Sequence, residues 1–277
     1  QKLYDKGWKF VRNIDDYTCY VETRDRANSF IVDLDVALEE FDLQLNNKKT
    51  KIEELPDTVL EDWVRKLNGF SLLTSYGKVD YKQARAYFDL AIELMKISGG
   101  NASVLNYAIK VLSKQNLTDN AKGYSWKMSM HLCILYPYLL SIMDEYVFKA
   151  FGAPKDEIQK FIDLAYKDGL EKQNYEECSY AIYFALKYDM EVKCIDSFKV
   201  AATNDCVYKS LSFLYFKKNG DSSSIICLQD DAKRLVKTDM DRNWLFIYEA
   251  LDRQNLVGDW AAMKNQGVSF LKSEFRY

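Results

Sequence analysis

Lys9-Phe10-Val11-Arg12-Asn13-Ile14-Asp15-Asp16-Tyr17-Thr18-Cys19-Tyr20-Val21 places two β-prone runs on either side of a pair of adjacent carboxylates. The runs, Trp8 to Ile14 and Tyr17 to Val21, are rich in Val, Ile, Tyr and Thr, which favour a pleated backbone. Together they predict a hairpin with the Asp pair at its tip. Successive strand residues point to opposite faces, so neighbouring aspartates converge on one ion only where the backbone turns. Carboxylates held at a turn are hard oxygen donors of the kind Mg²⁺ takes. A second pair, Asp230-Asp231, follows a Ser run and precedes a helical pattern, where the expectation is a helix N-cap.

The residues that follow separate the first pair from the second. Ala27 to Phe41 carries Phe30, Leu34, Ala37, Leu38 and Phe41 at helical spacing, with acids on the opposite face. Leu43-Gln44-Leu45-Asn46-Asn47-Lys48-Lys49-Thr50-Lys51-Ile52 then offers an Asn-Asn turn signal before a basic, β-prone end. Asp-Asp hairpin, amphipathic helix and Leu-Asn-x-x-Lys-Thr-Lys-Ile block, in this order, resemble the end of a reverse-transcriptase palm. The branch it is most similar to is the abortive-infection and related phage-defence group of bacterial enzymes with a helical C-terminal domain.

The resemblance implies an RNA-directed DNA polymerase that adds dNTPs by a two-metal mechanism with Mg²⁺ (or Mn²⁺). It implies Asp15 as a metal ligand, acting with an aspartate from a block upstream, and Asp16 as its partner. Lys49 matches the family lysine near the triphosphate, which neutralises or protonates the leaving pyrophosphate. Lys48 and Lys51 are candidates for the same place in a shifted register. The three lysines are equally readable as a solvated or phosphate-binding cluster. Asn13 departs from the family, where an aromatic or small side chain, often tyrosine, stands two residues before the first Asp. That departure suits the phage-defence branch, whose members make DNA without a template from a protein primer. Dependence on an upstream fingers block implies that this chain is the C-terminal part of a longer protein and inactive alone.

Composition bounds the rest. The chain has 277 residues, 48% hydrophobic and 14% aromatic, enough for one large domain or two modest ones. With 38 basic and 41 acidic residues it carries a net charge of −3, so binding DNA or RNA needs local basic patches. Six scattered cysteines without a C-x-x-C pair, and a single histidine, argue against structural zinc. They read as buried free thiols in a cytoplasmic protein, and His131, in an apolar run, as a core histidine. The apolar run Leu132 to Met143 is too short to span a bilayer.

A helix is expected from Asp57 to Leu67, and either a last palm strand or an irregular linker from Phe70 to Val79. From Asp80 the period is helical throughout: stripes at 84–95 and 104–112, then 126–135, 138–151, 158–169, 175–188, 192–202, 206–216, 225–236, 244–251 and 260–271. Short polar turns between such helices predict an antiparallel array, HEAT-like or a bundle. The expected fold is therefore α+β and mostly α. A palm remnant covers 1–56, a connecting helix and linker 57–79, and a helical domain 80–277, which shapes a product channel or joins copies into an oligomer. The competing reading is a non-catalytic scaffold, a degenerate palm carrying a partner-binding helical array.

Overall fold

The structure, a computed structural model, describes residues 1–55, 61–72 and 77–276 and falls into two units, Gln1–Glu61 and Asp62–Tyr277. The class is α+β and mostly helical. The described residues contain a single sheet, of two antiparallel strands, and it lies in the first unit.

In the first unit, α1 (Lys2–Asp5) leads into β1 (Phe10–Asn13), β2 (Asp16–Cys19) and α2 (Arg24–Glu39). The strands pair Phe10 with Cys19, Val11 with Thr18, Arg12 with Tyr17 and Asn13 with Asp16. Alternation sends Phe10, Tyr17 and Cys19 toward α2 and leaves Val11, Thr18, Asn13 and Asp16 exposed. Thr23 caps α2, its hydroxyl accepting from the Arg26 amide, so the helix starts three residues before the apolar stripe does. Trp8, Phe30, Leu34 and Leu3 are the buried core. The Trp8 indole donates to Asp33 at 2.7 Å, and the Arg26 guanidinium lies 4.4 Å above the Trp8 ring. A core of four side chains is small, and Val11, Ile14, Tyr20, Val32, Val36 and Phe41 remain exposed on this unit.

The stretch Leu45 to Ile52 is not a strand. Asn46 folds it into an Asx turn: its side chain accepts from the Lys48 amide, and its carbonyl from the Lys49 and Thr50 amides. A local side-chain acceptor has outcompeted β pairing.

The described residues of the second unit are mostly helical: α3 (Asp62–Gly69), α4 (Tyr81–Ile97), α5 (Ala102–Ser113), α6 (Asp119–Leu135), α7 (Leu140–Ile142), α8 (Lys155–Lys172), α9 (Tyr175–Tyr188), α10 (Ser197–Ala201), α11 (Cys206–Lys218), α12 (Ser222–Thr238), α13 (Met240–Ala250) and α14 (Asp259–Asn265). Asp80, Asn101, Thr118, Asp205 and Asp221 cap α4, α5, α6, α11 and α12 with their own side-chain oxygens. Gly99 and Gly100, both at positive φ, end α4, and the Gly100 amide closes on the Met95 carbonyl at 2.9 Å. Helices pack on their chain neighbours and next neighbours: α4 on α5 and α6, α8 on α9, α9 on α11, α11 on α12 and α13. Short connections with such packing make an antiparallel array. At Gly169 a Cβ would meet the Cys178 sulfur at 2.8 Å, so only glycine lets α8 and α9 come this close.

Several expectations change here. The helix expected from Asp57 begins at Asp62 among the described residues, residues 56–60 lying outside them. Trp63 and Leu67 belong to the core of the helical unit. The stretch Phe70 to Val79, of which 73–76 lie outside the described residues, contains no palm strand in its described part. Val79 forms an isolated parallel bridge with Leu117. The helix expected over 192–202 shrinks to α10, because Cys194 turns at φ 63° and Asp196 caps anew. That over 260–271 stops at Asn265, ahead of Gly267 at φ 73°. Beyond Pro137 the chain passes through a 3₁₀ turn and α7 into a π-helical turn, Met143–Lys149. His131 is exposed, not core, and so is Cys194.

Asp230 and Asp231 are not caps. They lie inside α12, which Asp221 caps. Asp231 is buried and accepts from the ammonium of fully buried Lys209 on α11 at 2.6 Å, while Lys209 also donates to the Ala201 carbonyl at 3.0 Å. A buried pair of this kind costs dearly to break and little to replace whole. Asp231→Ala should therefore lower unfolding free energy by about 3–5 kcal/mol in urea titration, and Lys209→Met with Asp231→Leu by much less.

The π turn supplies a second polar pin. Asp144 accepts from Lys187 and the Tyr188 hydroxyl on α9, each at 2.6 Å. Burial pushes the Asp144 carboxyl up, but the bonds donated by Lys187 and Tyr188 outweigh it and hold the group below its ordinary 3.8. The same bond to Asp144 raises Lys187, while burial and then Asp144 raise Tyr188. A carboxyl depressed by folding stabilises above its unfolded pKa and loses that contribution as pH falls through the folded value. Asp144→Asn should cost about 2 kcal/mol at pH 7, and the gap to the parent should close below the ordinary carboxyl range in urea titrations run against pH.

Candidate functional site

The site with the most directed chemistry is the hairpin tip. Pairing of Asn13 with Asp16 leaves a loop of two residues, Ile14 and Asp15. The expected tip thus splits: Asp15 lies in the turn and Asp16 opens β2. Two-residue loops demand positive φ at one or both central positions, normally supplied by glycine or asparagine. Here Ile14 takes φ 54°, a β-branched side chain in the left-handed region. Its side chain is 80% exposed and gains no burial in return. Arg12 braces the turn, its Nε donating to the Ile14 carbonyl at 2.8 Å with the guanidinium 5.5 Å from the Tyr17 ring centroid. Strain of this kind persists where surrounding structure imposes it, and it gathers at functional sites.

Asn13, Asp15 and Asp16 are all exposed around this turn and bring one amide and two carboxylate groups to one end of the hairpin. Among the described residues no three His, Cys, Asp or Glu side chains gather as a closed metal cage. The donor set nevertheless fits Mg²⁺, which is held by one or two carboxylates with water and substrate phosphates completing its shell.

Lys48, Lys49 and Lys51 are exposed, and none forms an ion pair among the described residues. Lys48 and Lys49 ride on the Asn46 turn, directly after Leu45, which packs into the same small core as Phe10 and Tyr17. The first unit therefore anchors the lysine loop and the hairpin on one core, while among the described residues no hydrogen bond or ion pair joins the lysines to the aspartates. Arg12 makes the backbone contact that a strand-edge arginine is expected to make, while the strain at Ile14 is what the sequence does not show. The signal available was the bare two-residue spacing of a hairpin without glycine.

No family model, curated protein or solved structure matches the chain.

Ile14→Gly should relieve the turn and slow amide hydrogen exchange in the hairpin, corresponding to about 0.5–1 kcal/mol of local stability. Faster exchange would show that the turn carries no strain.

Proposed function

We propose that this chain supplies the end of the palm and the helical C-terminal region of a reverse-transcriptase-like DNA polymerase in bacterial phage defence. The observation that carries the reading is the two-residue hairpin that presents Asp15 and Asp16, with Asn13, at an exposed, strained tip. The order of that hairpin, helix α2 and the Asn46 to Lys51 loop in the chain supports it, as do loop and hairpin sharing one core.

Asp15 and Asp16 would hold Mg²⁺ or Mn²⁺ together with an aspartate from the upstream palm. When bound, the ions supply positive charge where nucleotidyl transfer develops negative charge, on the attacking oxygen, the phosphoryl oxygens and the departing pyrophosphate. Lys49, or its neighbours Lys48 and Lys51, would meet the pyrophosphate of the incoming dNTP as cation and proton donor. Asn13 would face the primer end with a hydrogen-bonding group in place of an aromatic ring. The exposed Val11, Ile14 and Tyr20 suit a hairpin flanked by further palm and nucleic acid.

A second reading, a scaffold with a degenerate palm, is favoured by one observation: the Leu45 to Ile52 block is an Asx turn instead of a strand. Labelled-dNTP incorporation by the natural protein containing this chain separates the two. Asp15→Asn, a near-isosteric change at an exposed turn, should abolish incorporation and leave the unfolding transition in place. Incorporation retained by Asp15→Asn overturns the polymerase assignment, and no incorporation by the parent, with or without template, moves the function to the scaffold.

A further inference from the structure

The helical unit holds a cleft of its own. Lys217 of α11, Glu249 of α13, Lys264 of α14 and Arg276 border it with the apolar side chains of Phe213, Leu214, Val268 and Leu271, an open cleft of about 240 Å³. Three cations and one carboxylate line it, an excess of two positive charges in a chain whose net charge is negative. The carboxylate is already engaged: Glu249 accepts from the Ser269 hydroxyl at 3.1 Å and the Phe270 amide at 2.8 Å, bonds that tie the C-terminal segment to α13. It forms no ion pair with the lining cations.

The cations are set differently. Lys264 is half-buried, donates to the Tyr248 carbonyl and lies 4.7 Å from that ring's centroid. An ammonium has three donors, so two remain for a ligand. Burial pulls its pKa down, Glu249 and Asp252 pull it up, and Lys217 lowers it again, so the two lysines feel each other's charge. Lys217 has no partner among the described residues. Arg276 spends its Nε on the Leu271 carbonyl, leaving the two terminal nitrogens of its fork. Lys217, Lys264 and Arg276 border one cleft beside Phe213, Leu214, Val268 and Leu271, so an anion entering it meets three cationic donors and an apolar wall.

We propose that this cleft binds a small phosphomonoester, its phosphate held by Lys217, Lys264 and Arg276 and its organic part against Phe213, Leu214 and Val268. A monoester dianion matches the excess of two charges, where a diester or a carboxylate supplies one. The volume admits a phosphate with a compact apolar body and falls below the usual range for a drug-sized ligand. The site lies wholly in the helical unit and is independent of the hairpin chemistry.

Isothermal titration of the chain with inorganic phosphate and with phenyl phosphate, against chloride at matched ionic strength, tests this. Phenyl phosphate should bind at least threefold more tightly than inorganic phosphate. Lys217→Gln, an exposed position with no side-chain ion pair or hydrogen bond among the described residues, should weaken both by about tenfold, whereas Lys96→Gln, on α4 and outside the cleft lining, should change neither. Lys264→Gln should weaken both further, with its unfolding transition measured alongside. Phenyl phosphate binding no tighter than inorganic phosphate would refute the monoester. Heat no different from chloride, or affinity unmoved by Lys217→Gln, would refute the site.

Discussion

Helices in a folded protein draw most of their stability from packing one face, and those described in the second unit are no exception. Among the described residues α8 has 18 residues and α10 only five, far too few to hold together alone. Everything in that unit therefore depends on burying one stripe of each helix against its neighbours. Tyr87, Phe88, Phe151, Phe184 and Phe246 are all but inaccessible to solvent, and one contiguous core runs from Trp63 to Phe275. Apolar burial is non-directional, so it leaves open how each helix is rotated and staggered. Polar contacts within the core settle that: Lys209 with Asp231 between α11 and α12, Asp144 with Lys187 and Tyr188 at the π turn, and the Tyr166 and Tyr208 hydroxyls 2.7 Å apart. Each works only at one register, because a buried charge or hydroxyl without its partner is costly.

The first unit follows a different balance. Four buried residues give little cohesive surface, and local devices make up much of its order: the Thr23 cap, the Asn46 turn, Arg12 on the Ile14 carbonyl, and Trp8 joined to Asp33. Against that economy a β-branched residue at positive φ is conspicuous, since nothing it buries offsets its cost. It is the physical reason the proposed function is placed at the hairpin tip.

Much of this was legible in the chain. Tyr175–Tyr188 has the bounds that its apolar stripe predicts, whereas α6 starts at Asp119, seven residues before the expected Trp126, because Thr118 caps it. The Asp15-Asp16 hairpin was legible because β-rich runs flank it so closely. The misreadings share a cause. Asp230-Asp231 looks like a cap because the chain cannot show that Lys209, twenty-two residues earlier, will be buried opposite Asp231. His131 looks like core because its neighbours are apolar, yet a helix turns by 100° per residue and puts Leu132 in and His131 out. Leu45 to Ile52 looks β-prone until the Asn46 side chain takes its amides.

The amino-acid sequence by itself determined the fold class, the helix order of the long C-terminal array, and the pairing of two carboxylates with a tight turn, because periodicity and turn chemistry are local properties. Tertiary structure alone decided which aspartate lies in the turn and which in the strand, the strain at Ile14, the burial of Lys209, and the gathering of Lys217, Lys264 and Arg276 in one cleft. The burial and the cleft depend on residues distant in the chain meeting at fixed distances, and the hairpin register depends on Phe10, Tyr17 and Cys19 packing against the core of α2, which no local pattern carries.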